Sequence, residues 1–262
     1  MKTSQNKISL TLRTDTEVSI NGYIAPIEYS QYDFHLKWDE LKNLHAVQPK
    51  QKYNTSIFND FLPEQSVSVG DTWEVQHDGV VELLKQLHPQ PNLDMHINSG
   101  DSNGLWACLR AYNDEYADIV FRIHAEFKLK EGWFTPSQFT GHLIMDRHSE
   151  TIAYFRMYVP KGVLNFDINW DRTNDDGSVY HITDIGYCPK IELEAGNKDI
   201  LQKVESIDGI SKDETAKKLI QHFYKSQHIN WVSLEEALEM APVKQKPIHA
   251  ISIDGPLADE SC

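Results

Sequence analysis

The chain has 262 residues, enough for one or two domains and for a core that needs no disulfide or metal staples. At 40% hydrophobic and 24% charged residues it sits in the ordinary globular range, which excludes a disordered, collagenous or coiled-coil chain. With 39 Asp+Glu against 25 Lys+Arg, the net charge of -14 repels phosphate and argues against general nucleic-acid binding or attraction to anionic lipid. Three distant cysteines, Cys108, Cys188 and Cys262, give neither a disulfide framework nor a zinc-finger spacing. The opening MKTSQNKISLTLRTD has no signal-peptide apolar stretch, and no run of about 18 apolar residues encodes a membrane span. The resulting expectation is a soluble, cytoplasmic protein. GxGxxG, Walker, HExxH and GxSxG motifs are absent.

Along the chain, residues 7–13 (KISLTLR) and 66–75 alternate apolar and polar, whereas the fold of 1–70 as a whole is not legible. The strongest pattern is 119–129, IVFRIHAEFKL. It places Ile119, Phe121, Ile123, Ala125, Phe127 and Leu129 on one face and Val120, Arg122, His124, Glu126 and Lys128 on the other, as in a half-buried antiparallel strand. Further strands are predicted at 139–146, 151–159 and 163–170. Asp175-Asp176-Gly177-Ser178 then forms a hairpin turn into 179–185. Short strands at this spacing predict an antiparallel sandwich or partial barrel. Near Asn197 the character changes. Ser211 and Glu214 form a capping box for a helix reaching about Gln227 that buries Ala216, Leu219, Ile220 and Phe223. A second box, Ser233 to Glu236, opens a helix with Leu234, Ala237 and Leu238 inward, and Lys246-Pro247 precedes a short strand at 248–253 (IHAISI). The predicted class is α+β: a β-rich domain at 1–196, a helical connector at 197–232, and at 233–262 the first half of a thioredoxin-like α/β unit.

Cys262 is the candidate catalytic residue, because a thioredoxin-like unit presents its reactive sulfur in a loop after a central strand, at the start of the next helix. Asp259 and Glu260 beside it disfavour a second anion, making it a modest nucleophile by itself. The competing reading is an accidental cysteine in a frayed tail. His124, Glu126, His142 and Asp146 offer metal-ligand chemistry, weighed against the solvated face of a half-open sheet. The sheet face is favoured, so no metal site is assigned. Cys108 and Cys188 lie in apolar surroundings and read as buried and inert. Residues 171–177 (DRTNDDG) fail as a calcium loop because Arg172 occupies the first ligand position, and Trp73, Trp106, Trp133 and Trp170 read as core rather than as a ligand pocket.

The motifs FRIHAEFKL (121–129), FTPSQFTGHLI (134–144), FRMYVP (155–160), LNFDINW (164–170), DIGYCPKIELEA (184–195) and KPIHAISIDGPLADESC (246–262) closely resemble the selenoprotein N family, in the same order, from about Gly70 onward. The resemblance implies that the residue matching Cys262 is followed by selenocysteine within a thioredoxin-like domain. It also implies thiol– or selenol–disulfide oxidoreduction in redox homeostasis, on a protein disulfide or thiol substrate. Animal members are bound to the endoplasmic reticulum membrane and tied to calcium handling. The membrane anchor and EF-hand that go with those roles have no counterpart in this sequence, and the roles are not carried over. Since selenocysteine is encoded by UGA, the expectation is a truncated reading of a longer selenoprotein, with Cys262 as partner sulfur and weak or no activity in this form. No further cofactor is expected, and a homodimer is possible. The alternative is a non-catalytic β-rich binding or redox-sensing module.

Overall fold

Alternation of apolar and polar side chains sorts the chain into two antiparallel sheets sharing one core. The computed structural model describes residues 7–94 and 104–250. The strands, in chain order, are β1 (Glu17–Ile24), β2 (Tyr29–Ser30), β3 (Lys50–Asn54), β4 (Thr72–Glu74), β5 (Pro91–Asn92), β6 (Leu105–Tyr112) and β7 (Tyr116–Ile123). After them come β8 (Glu126–Leu129), β9 (Gly132–Pro136), β10 (Phe139–Asp146), β11 (Thr151–Tyr158), β12 (Phe166–Thr173), β13 (Val179–Tyr187) and β14 (Ile191–Gly196). One sheet has eight strands in the order β3-β1-β14-β11-β10-β7-β6-β4, and the other six in the order β2-β13-β12-β9-β8-β5. The helices are α1 (Phe34–Lys37), α2 (Asp39–Lys42), α3 (His77–Leu84), α4 (Asp199–Glu205), α5 (Lys212–Phe223) and α6 (Leu234–Lys244). This is the α+β, β-rich architecture expected from the strand spacing.

The inner face of the eight-stranded sheet carries Phe121, Ile123, Leu143, Phe155 and Leu193, all fully buried. A 3₁₀ turn at Thr55–Phe61 lays Phe58 and Phe61 onto it, with ring centroids 5.0 Å from Phe155 and Phe121 respectively. The other sheet contributes Phe127, Phe134, Phe166 and Ile168 to the same cluster. Burying aromatics this completely stabilises by roughly 1.5–3 kcal/mol each. At Gly141 the strands close so tightly that a Cβ would lie 2.7 Å from the Phe121 ring, so only glycine fits between β7 and β11.

Several expectations are corrected. Residues 119–129 do not form one strand. β7 ends at Ile123 in the eight-stranded sheet, the chain turns at His124-Ala125, and β8 enters the six-stranded sheet. The apolar stripe persists through this corner because both sheets face the same core, so period-2 alternation alone could not reveal the switch. In 7–13, Ile8, Leu10 and Leu12 are buried, yet no strand forms, and only Ile8 makes an isolated β-bridge, with Val67. In 66–75, Gly70 adopts φ +87 in a turn closed by Asp71 N–H to Ser68 C=O, confining β4 to Thr72–Glu74. The strand expected at 163–170 starts later, at Phe166, and Val163 is exposed.

The helices also differ from expectation. α5 stops at Phe223 and buries Thr215 and Leu219, with Ala216 exposed and Ile220 and Phe223 half-buried. α6 buries nothing: Leu234 is 60% and Leu238 58% exposed. Of 248–253, residues 248–250 carry no strand, and the remainder lies outside the described residues.

Candidate functional site

Cys262, the sequence's catalytic candidate, lies outside the described residues. Cys108, on β6, is fully buried. Burial pushes its thiol up to about 12. Lys218 opposes that shift, while Asp71, Asp118 and Glu214 add to it. Cys188 is equally buried, and burial raises it to about 11 despite its hydrogen bonds. Its Sγ donates to the Ala25 carbonyl at 3.4 Å. The thiolate is the nucleophile, so neither sulfur can attack a disulfide from its native position.

The polar residues His124, Glu126, His142 and Asp146 are not brought together, and among the described residues no group of three or more His, Cys, Asp or Glu side chains converges. Asp146 caps a turn, accepting from His148 N–H and Ser149 N–H at 2.9 Å each. Glu126 accepts from Asn92 Nδ2 at 2.7 Å on the six-stranded sheet. His142 lies across the strand from Arg156, and its Nδ1 is 2.8 Å from the buried carboxylate of Asp118. Arg110 Nε donates to the other Asp118 oxygen, and Arg110 Nη2 donates to the Val204 carbonyl at 2.8 Å. Burial alone would raise the Asp118 pKa, but His142 and Arg110 together hold it below the ordinary carboxylate value. This network ties β6, β7 and β10 to the end of α4. Asp118 escaped notice in the sequence because it sits one residue ahead of the strong alternation, on a face that only the helices make interior.

That face is covered rather than solvated. Beneath the end of α5, His124 packs 4.2 Å from the Phe223 ring, and the Arg122 guanidinium lies over Phe223 and Tyr224 at 5.2 and 5.6 Å. Burial, reinforced by the Arg122 charge, drives the His124 pKa well below its ordinary value. His222 stacks flat on Trp106 at 3.7 Å, with Nε2 2.9 Å from Thr72 Oγ1, and burial lowers its pKa too. Of the four tryptophans, Trp73 and Trp106 line one cleft of about 520 Å³ beside β4, and Trp133 and Trp170 lie elsewhere. Trp73 donates to the Phe61 carbonyl at 2.9 Å, Trp106 meets α5, Trp133 lies under Lys128, and Trp170 stacks on Trp38 at 5.2 Å.

Past α5 the chain leaves the sheet. Ser233 caps α6 in a full capping box with Glu236. Ile229, Trp231, Val232, Leu234, Leu238 and Val243 are all exposed. A cavity of about 510 Å³ opens here, floored by Trp231, Ala237 and Met240 and closed by Pro247 and Ile248. The arm leading toward Cys262 thus carries unburied apolar surface.

Comparison with characterised proteins places the chain. It is 32% identical to selenoprotein N of Mus musculus over a 272-residue alignment covering 83% of this chain and 48% of the relative. Selenoprotein N of Homo sapiens is 28% identical over 83% of this chain and 45% of the relative, and that of Danio rerio 29% over 80% and 47%. The chain belongs to the selenoprotein N family. It spans about half the length of these relatives. No family model matches it, and no solved structure matches it. Among the described residues no helix is long and apolar enough to cross a membrane.

Proposed function

We propose that this selenoprotein N relative is a thiol/selenol–disulfide oxidoreductase in which the two-sheet body is a rigid, redox-inert scaffold and Cys262 is one member of the reactive pair. The carrying observation is the division of the sulfurs: Cys108 and Cys188 are buried and held protonated, so redox work falls to Cys262 and the selenocysteine that the family resemblance implies beside it. The selenolate attacks one sulfur of a substrate disulfide, forming a Se–S bond and releasing one substrate thiolate. The Cys262 thiolate then attacks selenium, releasing the second substrate thiol and leaving an S–Se bond in the enzyme. A two-electron thiol donor reduces that bond and returns both protons. The exposed apolar surface of α6 supports the reading, since a thioredoxin-like sheet buries apolar strands between helices.

A disulfide-reduction assay tests it, comparing the 262-residue chain with a form carrying a selenocysteine directly after Cys262, and each with its Cys262→Ser variant. The expected result is turnover in the extended form, loss of most of it in C262S, and little or none in the 262-residue chain. Equal activity in the two forms contradicts the assignment.

A further inference from the structure

The chain as a whole is strongly acidic, but one cleft reverses that sign. It lies on the outer face of the eight-stranded sheet, between β11, β14 and the start of α4, with a volume of about 540 Å³. Arg156, Lys161, Lys190 and Lys198 line it, against only Glu192 and Glu194. At the α4 end the charges cancel: Lys198 Nζ is 2.9 Å from Glu194 Oε2, and Tyr154 donates to Glu194 Oε1 at 2.7 Å. At the other end they do not. The nearly buried Glu192 is shared by two cations, Arg156 Nη2 at 3.0 Å and Lys190 Nζ at 2.6 Å. Lys161, on the loop after β11, has no ion-pair partner among the described residues. The positive excess therefore concentrates on Arg156, Lys190 and Lys161.

The site is also held in place. Arg156 and Glu194 are direct cross-strand partners, as are Tyr158 and Glu192. The Arg156 guanidinium stacks over the Tyr158 ring at 4.1 Å, which fixes its plane before any ligand arrives, and Lys190 Nζ lies 5.3 Å over the Tyr23 ring. Arg156 Nε is buried without an acceptor among the described residues, so this donor has already lost its water. A pre-oriented guanidinium flanked by two ammonium groups matches a planar or tetrahedral oxyanion.

We propose that this cleft binds a small dianionic metabolite, carrying a phosphate-monoester or dicarboxylate group, through Arg156, Lys190 and Lys161. Anion binding in this cleft does not depend on the Cys262 chemistry.

Isothermal titration of the chain with inorganic phosphate and, separately, with succinate, at ionic strength held constant with sodium chloride, tests it. Saturable one-to-one binding of at least one anion is expected, and the tighter of the two identifies the ligand group. Arg156→Gln and Lys161→Glu should each weaken binding about tenfold or more, equivalent to about 1.4 kcal/mol. Lys217→Glu, the same charge change as K161E but on the exposed side of α5, should leave affinity within about twofold. R156Q leaves Glu192 with one cation fewer and can perturb folding, so K161E, on an exposed loop residue, is the deciding variant. No saturable binding of either anion, or equal weakening by K161E and K217E, overturns the proposal.

Discussion

Helices α5 and α6 begin alike and end up in opposite situations. Each is capped by a serine whose hydroxyl accepts the N–H of a glutamate three residues on, Ser211 from Glu214 at 3.1 Å and Ser233 from Glu236 at 3.2 Å. α5 then buries Thr215 and Leu219 against β6 and β7 and lowers His222 and Phe223 onto Trp106 and His124. α6 lays nothing down, and Leu238 and Val243 stay exposed. Capping and periodicity decide that a helix forms. Whether its apolar face is buried depends on the partner surface, which those local signals do not contain.

The largest expected effect lies beneath α4 and α5. Asp118→Asn leaves Arg110 buried without its counter-charge and should cost about 3–5 kcal/mol, read as a shift of the urea midpoint with unchanged slope. Phe121→Ala should cost a similar amount, about 3–5 kcal/mol, through the cavity it opens under Phe61 and Phe155. A loss below about 1 kcal/mol for D118N would mean that the network does not join the helices to the sheet.

Acid should loosen the same face. His124 is held neutral in the fold, so below its unfolded pKa of about 6.5 the unfolded chain binds a proton that the folded chain does not. Stability is therefore full above about pH 6.5, falls by up to about 1.4 kcal/mol per pH unit below it, and levels off beneath the folded pKa. Asp118 acts in a lower window: its depressed pKa contributes stability above about 3.8 that is lost as pH falls through the folded value. Urea midpoints between pH 7.5 and 5 should show the first slope in the native chain and a shallower one in His124→Gln. Equal slopes would separate His124 from the acid response.

The smallest effect sharpens the comparison itself. Leu219→Ala should cost about 2–5 kcal/mol, and Leu238→Ala, with its side chain already in water, under about 0.5 kcal/mol. Hydrogen exchange should follow the same division, with amides of β7 exchanging only through global unfolding and those of α6 through local opening. Equal protection in β7 and α6 would show that α6 has a covering partner in solution.

Much of the β body was legible because its strands repeat apolar residues every second position. Phe139–Asp146 forms a strand as expected, and Asp175 to Ser178 turns the hairpin between β12 and β13. The sheet change at His124-Ala125 was hidden because Ala125 continues the buried stripe. The covered polar face was hidden because Arg122 and His124 look solvent-facing until α5 is laid across them. Residues 7–70 were only partly legible: Ile8, Leu10 and Leu12 follow the alternation, while Phe58 and Phe61 on a 3₁₀ turn are buried by irregular packing that has no period. Of the site, the burial of Cys108 and Cys188 was readable from their apolar neighbours, while Cys262 and its surroundings fall outside the described residues.

The division of the sulfurs is tested most directly by alkylating the folded chain at neutral pH and following each cysteine by peptide mass spectrometry. With its thiol pushed up to about 12, Cys108 presents far less thiolate at neutral pH than an ordinary cysteine near 8.5, and burial adds a barrier of access. The prediction is rapid modification of Cys262, with Cys108 and Cys188 reacting only when urea unfolds the chain. Modification of Cys108 or Cys188 in the folded protein as fast as Cys262 would contradict the inert-scaffold account.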